Sequence, residues 1–329
     1  MNAPHQPVKL DLIRAVIADD LTAIDAVIRQ RLASEVVLIN GISHYIIEAG
    51  GKRLRPALVA FVGNLAGAPK PAIHTMAAVI EFIHTATLLH DDVVDESDLR
   101  RGRQTANAVF GNAASVLVGD FLYSRAFQMM VEVGSSRVMG VMADATNVIS
   151  EGEVLQLMNV HDAEIDEESY LRVVRFKTAK LFEAACRVGA ILGNAGMQAE
   201  TSLAAYGMHI GTAFQLIDDV LDYSGEAAET GKNVGDDLAE GKPTLPLIYA
   251  LRHGDPAQRD LVRAAIENGG REQMHEVVAA IRATGALEYA RDAAAREADL
   301  ARNALAGFGD SVFRDALLQL CAFAVERRF

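Results

Sequence analysis

The stretch LLHDDVVDE, residues 88–96, is the most informative part of the chain for both its fold class and its function. It begins as an apolar run and ends with three aspartates and one glutamate within six positions. Carboxylates this close repel one another, and they are rarely buried without partners. The stretch therefore predicts that a positively charged group binds where the apolar run ends.

A second stretch, FQLIDDVLDYSG at 214–225, repeats the Asp-Asp-x-x-Asp pattern behind another apolar run. Helical residues four apart lie on one face, so Asp91 and Asp95 should point the same way, as should Asp218 and Asp222. Such carboxylate pairs suit a hard divalent ion that keeps part of its water shell. One cluster alone is as compatible with a solvated helix end, but two copies favour a site for Mg²⁺.

Helical periodicity dominates the rest of the chain. Residues 10–32 and 315–329 place apolar side chains at spacings of three and four, and no alternating strand pattern occurs. We predict an all-α fold, a single large helical bundle. Breaks are expected at residues 48–56, 67–71, 98–104, 161–169, 224–243 and 253–256. The break at 224–243 is rich in Gly and charge, which favours a mobile flap.

Composition excludes several function classes. The chain has 329 residues, half of them hydrophobic, and a formal net charge of -13, which argues against a nucleic-acid surface. Its two cysteines, Cys186 and Cys321, lie in apolar helical patterns and are expected to be reduced core residues. No secretory signal and no membrane-spanning segment are predicted, so we expect a cytoplasmic protein.

Some cationic residues lie next to the acidic motifs in sequence, and others form separate motifs elsewhere in the chain. In GGKRLRP (50–56), two glycines are followed by Lys52 and Arg55. Backbone amides and side chains can converge on an anion there. Because Mg²⁺ held by carboxylates is usually completed by phosphate oxygens, we interpret these cations as phosphate ligands. The alternative is that they are only salt-bridge partners of the aspartates. Further candidates are Arg100, Arg101, Arg103, Lys177, Thr178, Lys232 and Lys242.

Together these motifs resemble the signature blocks of the trans-type polyprenyl diphosphate synthases. The blocks are GGKRLRP, EFIHTATLLHDDVVDESDLRRGRQTAN, GDFLYSRAF, RFKTAKLF, FQLIDDVLDYSG and GKNVGDDLAEGKPTLPLIYAL. They occur in the family's order over residues 40–255, within what we expect to be one domain spanning 1–329. Both aspartate motifs are intact, which speaks against the non-catalytic subunits of the family.

The resemblance implies a helical bundle whose central cavity has the two aspartate motifs facing each other. It implies that Mg²⁺ ions on Asp91, Asp95, Asp218 and Asp222 bridge the diphosphate of an allylic substrate. Residues matching the allylic diphosphate ligands are Arg100, Lys177, Thr178, Gln215, Lys232 and Lys242. Residues matching the isopentenyl diphosphate ligands are Lys52, Arg55, His84 and Arg101. The family also implies a homodimer.

Helix geometry independently supports the assignment of one of these residues. His84 precedes Asp91 by seven positions, about two turns, so it lies within ~20° of the same helix face. Without that neighbour, a satisfied core histidine would be the favoured interpretation. Arg53, the remaining cation of the KRLR run, is interpreted as structural.

The expected reaction is chain elongation, in which an allylic carbocation is attacked by the double bond of isopentenyl diphosphate. The resemblance makes Ala86 the position that limits product length, whereas ideal helix angles put Thr87 closer to the Asp91 face. Both are small, so we predict an open tunnel and a long product for quinones such as ubiquinone: octaprenyl first, nonaprenyl and decaprenyl as alternatives. Such a lipophilic product permits peripheral membrane contact.

Other functions remain open at this point. A geranylgeranyl diphosphate synthase would share the catalytic residues and differ in tunnel depth. Terpene cyclases carry an aspartate-rich motif but need no second diphosphate site. A metal-dependent phosphohydrolase would use HDD together with further histidine ligands, and the other histidines form no matching cluster in the sequence. A helical scaffold without activity would leave the paired motifs unexplained.

Overall fold

The computed structural model describes residues 9–48, 50–100, 102–224 and 235–327, and within these ranges helices dominate. The α-helices are α1 (Leu10–Ala15), α2 (Ala18–Leu32), α3 (Val37–Glu48), α4 (Leu54–Leu65), α5 (Lys70–Val94), α6 (Ala106–Phe110), α7 (Asn112–Val133), α8 (Ser136–Asn159), α9 (Glu167–Val173), α10 (Lys180–Leu192), α11 (Met197–Asp222), α12 (Asp236–Ala239), α13 (Leu245–His253), α14 (Pro256–Asn268), α15 (Met274–Ala283), α16 (Ala286–Ala304) and α17 (Val312–Glu326). A π-helical turn, Val174–Ala179, joins α9 to α10, and a 3₁₀ turn, Arg271–Gln273, precedes α15.

The prediction of an all-α fold is confirmed, with one small addition. Strands β1 (Leu99–Arg100) and β2 (Arg103–Gln104) form an antiparallel hairpin behind the first aspartate motif, with Leu99 opposite Gln104. Two residues per strand are too few to produce an alternating pattern in the sequence. The predicted breaks coincide with the junctions between helices to within a few residues, except that the short helix α12 lies inside the break at 224–243. Residues 49, 101 and 225–234 of the predicted breaks lie outside the described residues.

The bundle is built around two long helices that carry the aspartate motifs at their C-terminal ends. Helix α5 packs against α2, α4, α7 and α10, and α11 packs against α10, α16 and α17. The described core forms two hydrophobic clusters, and α11 contributes to both, through Tyr206 and Ile210 to one and Leu216 and Val220 to the other. The two predicted cysteines are free and buried, as expected.

Glycines allow α11 to lie unusually close to the elements that carry the site. A Cβ atom at Gly207 would lie 2.5 Å from the carbonyl oxygen of Phe182, and one at Gly211 would lie 2.8 Å from the Cα of Ala179. Both distances are too short for an alanine without a shift of backbone. The second aspartate motif is therefore held firmly against α10 and the π-helical turn.

Helix α5 is, among the described helices, the one long and apolar enough to cross a membrane. In the structure most of its apolar stretch is buried inside the protein. Its charged residue Glu81 forms an ion pair with Arg53. The apolar character of α5 is thus accounted for by its place in the bundle core.

Asp20 joins α2 to the helices behind the site. Its buried carboxylate accepts hydrogen bonds of 2.8 Å from Lys70 Nζ, His74 Nε2 and Asn64 Nδ2, which lie on α5 and α4. Burial alone would raise the pKa of Asp20, but these three partners outweigh it and hold the pKa below its usual value of 3.8. The negative charge is therefore stabilised in the folded protein.

We predict that Asp20→Asn lowers the free energy of unfolding by about 2 kcal/mol at pH 7, since hydrogen bonds to a charged group are lost. The pKa of Asp20 is lower in the folded state than in the unfolded state. Its contribution to stability is therefore fully present above pH 3.8 and is lost as the pH falls through the lower folded-state pKa. Urea unfolding of both proteins should show their difference shrinking as the pH falls below 3.8. The exposed Asp25→Asn on the same helix is the control. A difference between wild type and Asp20→Asn that does not change with pH would contradict this assignment.

Candidate functional site

A cavity of about 620 Å³ lies where the C-terminal ends of α5 and α11 meet the π-helical turn and the start of α4. Its polar lining is concentrated on the two aspartate motifs and the cations around them. Its apolar lining includes Leu54, Leu88, Ile149, Ile165, Val173, Val174, Leu181, Phe182, Phe214, Leu221 and Pro243. The cavity therefore combines a charged region with hydrophobic walls.

The first aspartate motif ends α5 and is met by two lysines from distant elements. Lys177 Nζ lies 3.6 Å from Asp91 Oδ2, and Lys242 Nζ lies 2.8 Å from Asp95 Oδ2. Burial raises the pKa of Asp91; Lys177 opposes this rise and Asp95 adds to it. Asp91 and Asp95 both line the cavity, as the helix spacing predicts. The crowded carboxylates thus depend on cations supplied by residues far along the chain.

Lys242 stays charged although it is largely enclosed. Burial lowers its pKa, but Asp95 and Glu240 outweigh this and hold the pKa above its usual value. Its Nζ donates to Glu240 Oε2 at 2.6 Å as well as to Asp95. This lysine follows Gly241, whose carbonyl accepts a 2.8 Å hydrogen bond from the backbone N–H of His161.

The second aspartate motif ends α11 and meets the C-terminal end of the chain. Arg327 NH1 lies 2.6 Å from Asp218 Oδ1, NH2 donates to the Phe214 carbonyl at 2.5 Å, and the guanidinium lies 3.6 Å from the Phe214 ring centroid. Only 2% of the Arg327 side chain is exposed. Asp222 Oδ2 accepts a 3.2 Å hydrogen bond from the Asp237 backbone N–H. Both outer aspartates of this motif line the cavity.

The middle aspartate of this motif has a different role. Asp219 is buried and accepts hydrogen bonds from Tyr170 Oη at 2.5 Å and Gln215 Nε2 at 2.8 Å. Burial raises the pKa of Asp219 to about 8. Gln215 Oε1 in turn accepts a hydrogen bond from Thr178 Oγ1 at 3.1 Å. Asp219 therefore orients Gln215 and, through it, Thr178.

Lys177 and Thr178 lie on the π-helical turn Val174–Ala179. Turns of this kind are rare and occur often at functional sites, because the extra residue redirects side chains. Besides Asp91, Lys177 Nζ contacts Glu153 Oε2 and Gln156 Oε1, at 2.5 and 2.6 Å. Burial raises the pKa of Glu153 to about 7, against the opposing effect of Lys177.

A second group of cations lies on the α4 side of the cavity. Arg55 NH1 donates to His84 Nε2 at 3.1 Å; since a guanidinium only donates, Nε2 is the acceptor and the ring proton is on Nδ1. The Arg55 guanidinium also lies 4.5 Å from the Phe182 ring centroid, and Lys52 Nζ lies 5.7 Å from that of Phe214. Lys52, Arg55 and His84 thus line one side of the cavity together.

Arg53, interpreted as structural, pairs with Glu81 and takes a left-handed backbone conformation (φ 49°) just before α4. Arg100 pairs with buried Asp92, with NH2 2.7 Å from Oδ1, and lines the cavity. The predicted ligands Arg101 and Lys232 lie outside the described residues.

The two candidate chain-length positions lie differently. Thr87 lines the cavity and donates from Oγ1 to the His84 carbonyl at 2.8 Å. Ala86 is fully buried and is not among the described lining residues. The position derived from helix angles is therefore the one in contact with the cavity, and Ala86 lies beside it in the packed core.

Glu153, Gln156 and Arg327 are among the lining residues that were not anticipated from the sequence. Glu153 and Gln156 stand three apart in EGEVLQL, so helix periodicity was the available signal for a shared polar face. Arg327 lies more than a hundred residues from Asp218, and nothing in its local sequence indicates the contact.

The donor set fits a hard divalent ion only with additional ligands. Among the described residues, no group of three or more His, Cys, Asp or Glu side chains is placed to hold a metal ion. The carboxylates of Asp91, Asp95, Asp218 and Asp222 are nevertheless all oxygen donors on one cavity. Mg²⁺ characteristically takes one or two carboxylates and completes its shell with water and phosphate oxygens. The arrangement thus suits a metal ion that arrives with a phosphorylated ligand.

Comparison with known proteins agrees with this geometry. The polyprenyl synthetase family model matches residues 36–284. Octaprenyl diphosphate synthase of Escherichia coli (strain K12) is 54% identical over 319 residues, which cover 97% of this chain and 99% of that protein.

Solved structures show the same fold. Polyprenyl synthase from Caulobacter crescentus CB15, complexed with calcium and isoprenyl diphosphate, superposes with a TM-score of 0.95 at 43% identity, over 99% of this chain and 100% of that one. A decaprenyl diphosphate synthase from Rhodobacter capsulatus gives 0.91 at 46% identity, over 97% and 99%. The chain belongs to the polyprenyl synthetase family.

Proposed function

We propose that this protein is an Mg²⁺-dependent prenyltransferase that adds isopentenyl diphosphate units in trans to an allylic diphosphate, in the first place farnesyl diphosphate. The observation that carries the proposal is that two aspartate pairs and two separate groups of cations line one cavity with apolar walls. A site for a single phosphorylated substrate would have no use for the second group of cations. The function is in keeping with the family and with the similarity to octaprenyl diphosphate synthases.

In this proposal the allylic diphosphate binds between the two aspartate motifs. Lys177, Thr178 and Lys242 neutralise or donate to its oxygens, together with Arg100, Gln215 and Lys232. Asp91, Asp95, Asp218 and Asp222 are the residues that would hold Mg²⁺. The bound metal would draw negative charge onto the leaving diphosphate and so promote cleavage of the allylic C–O bond. The family is metal-dependent, which supports this assignment.

Isopentenyl diphosphate binds on the α4 side, where Lys52, Arg55 and His84 are gathered, with Arg101 as a further ligand. The double bond, held beside the allylic carbon, attacks the carbocation left by the departing diphosphate. Loss of a proton from the new chain then restores a double bond, and the released pyrophosphate is the proposed acceptor. The aromatic rings of Phe182 and Phe214 lie beside Arg55 and Lys52, and they help to exclude water from the carbocation.

An octaprenyl product is our proposal for chain length. Thr87, a small residue on the cavity wall, leaves room for a growing chain, and the similarity to octaprenyl diphosphate synthases over nearly the whole chain supports eight units. A shorter geranylgeranyl product, or a nonaprenyl or decaprenyl one, would require only a different tunnel depth. The product would serve quinone side chains.

The metal-dependent phosphohydrolase hypothesis finds no support in the described residues. His90 Nε2 lies 3.2 Å from the Val116 carbonyl and its ring stacks on Tyr123, so it is engaged away from Asp91. No histidine-containing group among the described residues is placed to bind a metal.

We also propose that the chain 1–329 acts as one cytoplasmic domain that forms a homodimer. Helix α11, which contributes to both hydrophobic clusters, supports the single domain. An exposed apolar face on α7 supports the dimer: Leu117 is 66% exposed and Val131 is 67% exposed, with Phe127 between them. Large exposed apolar side chains along one helix are typical of an interface between subunits.

The central experiment incubates the protein with farnesyl diphosphate, labelled isopentenyl diphosphate and Mg²⁺ and resolves the products by chromatography. We expect octaprenyl diphosphate, and no elongation after chelation of the metal. Asp91→Ala and Asp218→Ala should each reduce turnover by about 10²- to 10³-fold, the size of effect seen when groups that stabilise transition-state charge are removed. Their helical circular-dichroism signal should match wild type. Full activity in either variant would exclude that residue as a metal ligand.

Product length should respond to the cavity wall. Thr87→Phe places a ring in the cavity and Ala86→Phe forces one in from the packed side, so both are predicted to shorten the product. Thr87→Val, nearly equal in volume, is the control and should leave chain length unchanged. Chromatographic chain-length analysis gives the answer; full-length product from both phenylalanine variants would mean that the tunnel floor lies elsewhere.

The dimer is tested by sedimentation velocity. The mass of the wild type should be twice the 35.3 kDa of one chain, and the mass of the double variant Leu117→Glu/Val131→Glu should be that of one chain. Met197→Glu, at a still more exposed position at the start of α11, should remain dimeric. A monomeric wild type would rule out the dimer, and a dimeric double variant would rule out this face.

A further inference from the structure

One face of helix α8 packs directly beneath the π-helical turn that carries Lys177. A Cβ atom at Gly152 would lie 2.6 Å from the backbone nitrogen of Lys177 and 2.9 Å from the carbonyl carbon of Phe176. Both contacts are to backbone atoms, and both are too short for any real Cβ. An alanine would therefore have to displace the turn. Gly152 is buried, and its missing side chain is what allows the turn to lie on α8.

The same face of α8 holds the end of the Lys177 side chain. Glu153 and Gln156, one and four residues after Gly152, accept from its Nζ at 2.5 and 2.6 Å. Asp91 lies on the other side at 3.6 Å. The long lysine side chain, only 18% exposed, is therefore fixed both at its backbone and at its charged end.

We propose that Gly152, Glu153 and Gln156 form an α8 seat, a set of positioning residues that sets where Lys177 meets the allylic diphosphate. The inference rests on the proposed function and extends it to residues that touch Lys177 rather than substrate. A flexible lysine side chain otherwise loses conformational freedom on binding an anion. The α8 seat fixes that side chain beside the first aspartate motif before substrate arrives, which makes the site pre-organised for the diphosphate.

The seat predicts an effect on one substrate and not on the other. Lys177 is carried by the π-helical turn and held by α8, whereas Lys52, Arg55 and His84 are carried by α4, its preceding loop and α5. Displacing the π-helical turn should therefore weaken the allylic diphosphate site alone. General damage to the bundle would weaken both sites in parallel.

The test compares Gly152→Ala with Gly140→Ala. Both exchange a glycine for alanine inside α8, so both gain the same helix propensity, but a Cβ at position 140 has nothing within 4 Å. Binding of farnesyl thiodiphosphate, an unreactive allylic analogue, is measured by titration calorimetry with Mg²⁺. We expect Gly152→Ala to weaken it by about tenfold, with the KM for isopentenyl diphosphate changed by less than about twofold. Gly140→Ala should match wild type in both measurements.

A second pair of variants tests the polar part of the seat and does not require Gly152→Ala to fold. Glu153→Gln keeps an oxygen that accepts from Lys177, and Glu153→Ala removes it. We expect Glu153→Ala to weaken analogue binding by about tenfold and Glu153→Gln to restore it to within about threefold of wild type. Tighter binding by Glu153→Ala would show that repulsion of the diphosphate, not positioning, is the main effect of Glu153.

The inference is overturned if Gly152→Ala binds the analogue as Gly140→Ala does, or if both substrates weaken together. Wild-type protein that elongates no substrate would instead overturn the proposed function. The two failures are therefore told apart by the wild type alone.

Discussion

The enclosure of acidic side chains in a cavity with hydrophobic walls is the constraint on which the rest of the structure depends. Carboxylates lose hydration there, and they are compensated by cations or hydrogen-bond donors held nearby. Lys177 compensates Asp91, Lys242 compensates Asp95 and Arg327 compensates Asp218. None of these cations is close to its partner in sequence, so only the complete bundle can stabilise the aspartates.

These ion pairs also suggest how the site changes when substrate binds. Lys177 and Lys242 are proposed to contact the diphosphate, and Asp91 and Asp95 are proposed to bind metal. Binding of both would exchange these two aspartate–lysine pairs for aspartate–metal contacts and lysine–phosphate contacts. The charge balance of the cavity would be preserved through this exchange, which keeps the desolvation cost of loading the site low. Arg327, which pairs with Asp218, lines the same cavity.

The sequence predicted what depends on helical periodicity and not what depends on tertiary contacts. The shared faces of Asp91 with Asp95 and of Asp218 with Asp222 followed from a period of 3.6 residues, and so did the position of Thr87. The π-helical turn was not predicted, because helical periodicity indicates where a helix lies and not that one of its turns is wider than the others. The hydrogen bond from Tyr170 to Asp219 and the ion pair of Arg327 join segments whose separation in sequence carries no local signal. The α8 seat was not predicted, because the role of Gly152 depends on the backbone that packs against it, which the sequence does not show.

The central claim is that the two aspartate motifs act on one diphosphate through shared metal ions. The most direct measurement is a crystal structure with farnesyl thiodiphosphate and Mn²⁺ in place of Mg²⁺, with the metal located by anomalous diffraction. We expect metal ions at both motifs, each also bound by a diphosphate oxygen, with Lys177 and Lys242 turned to the phosphates. Metal at one motif only, or a diphosphate bound without metal contact, would contradict it.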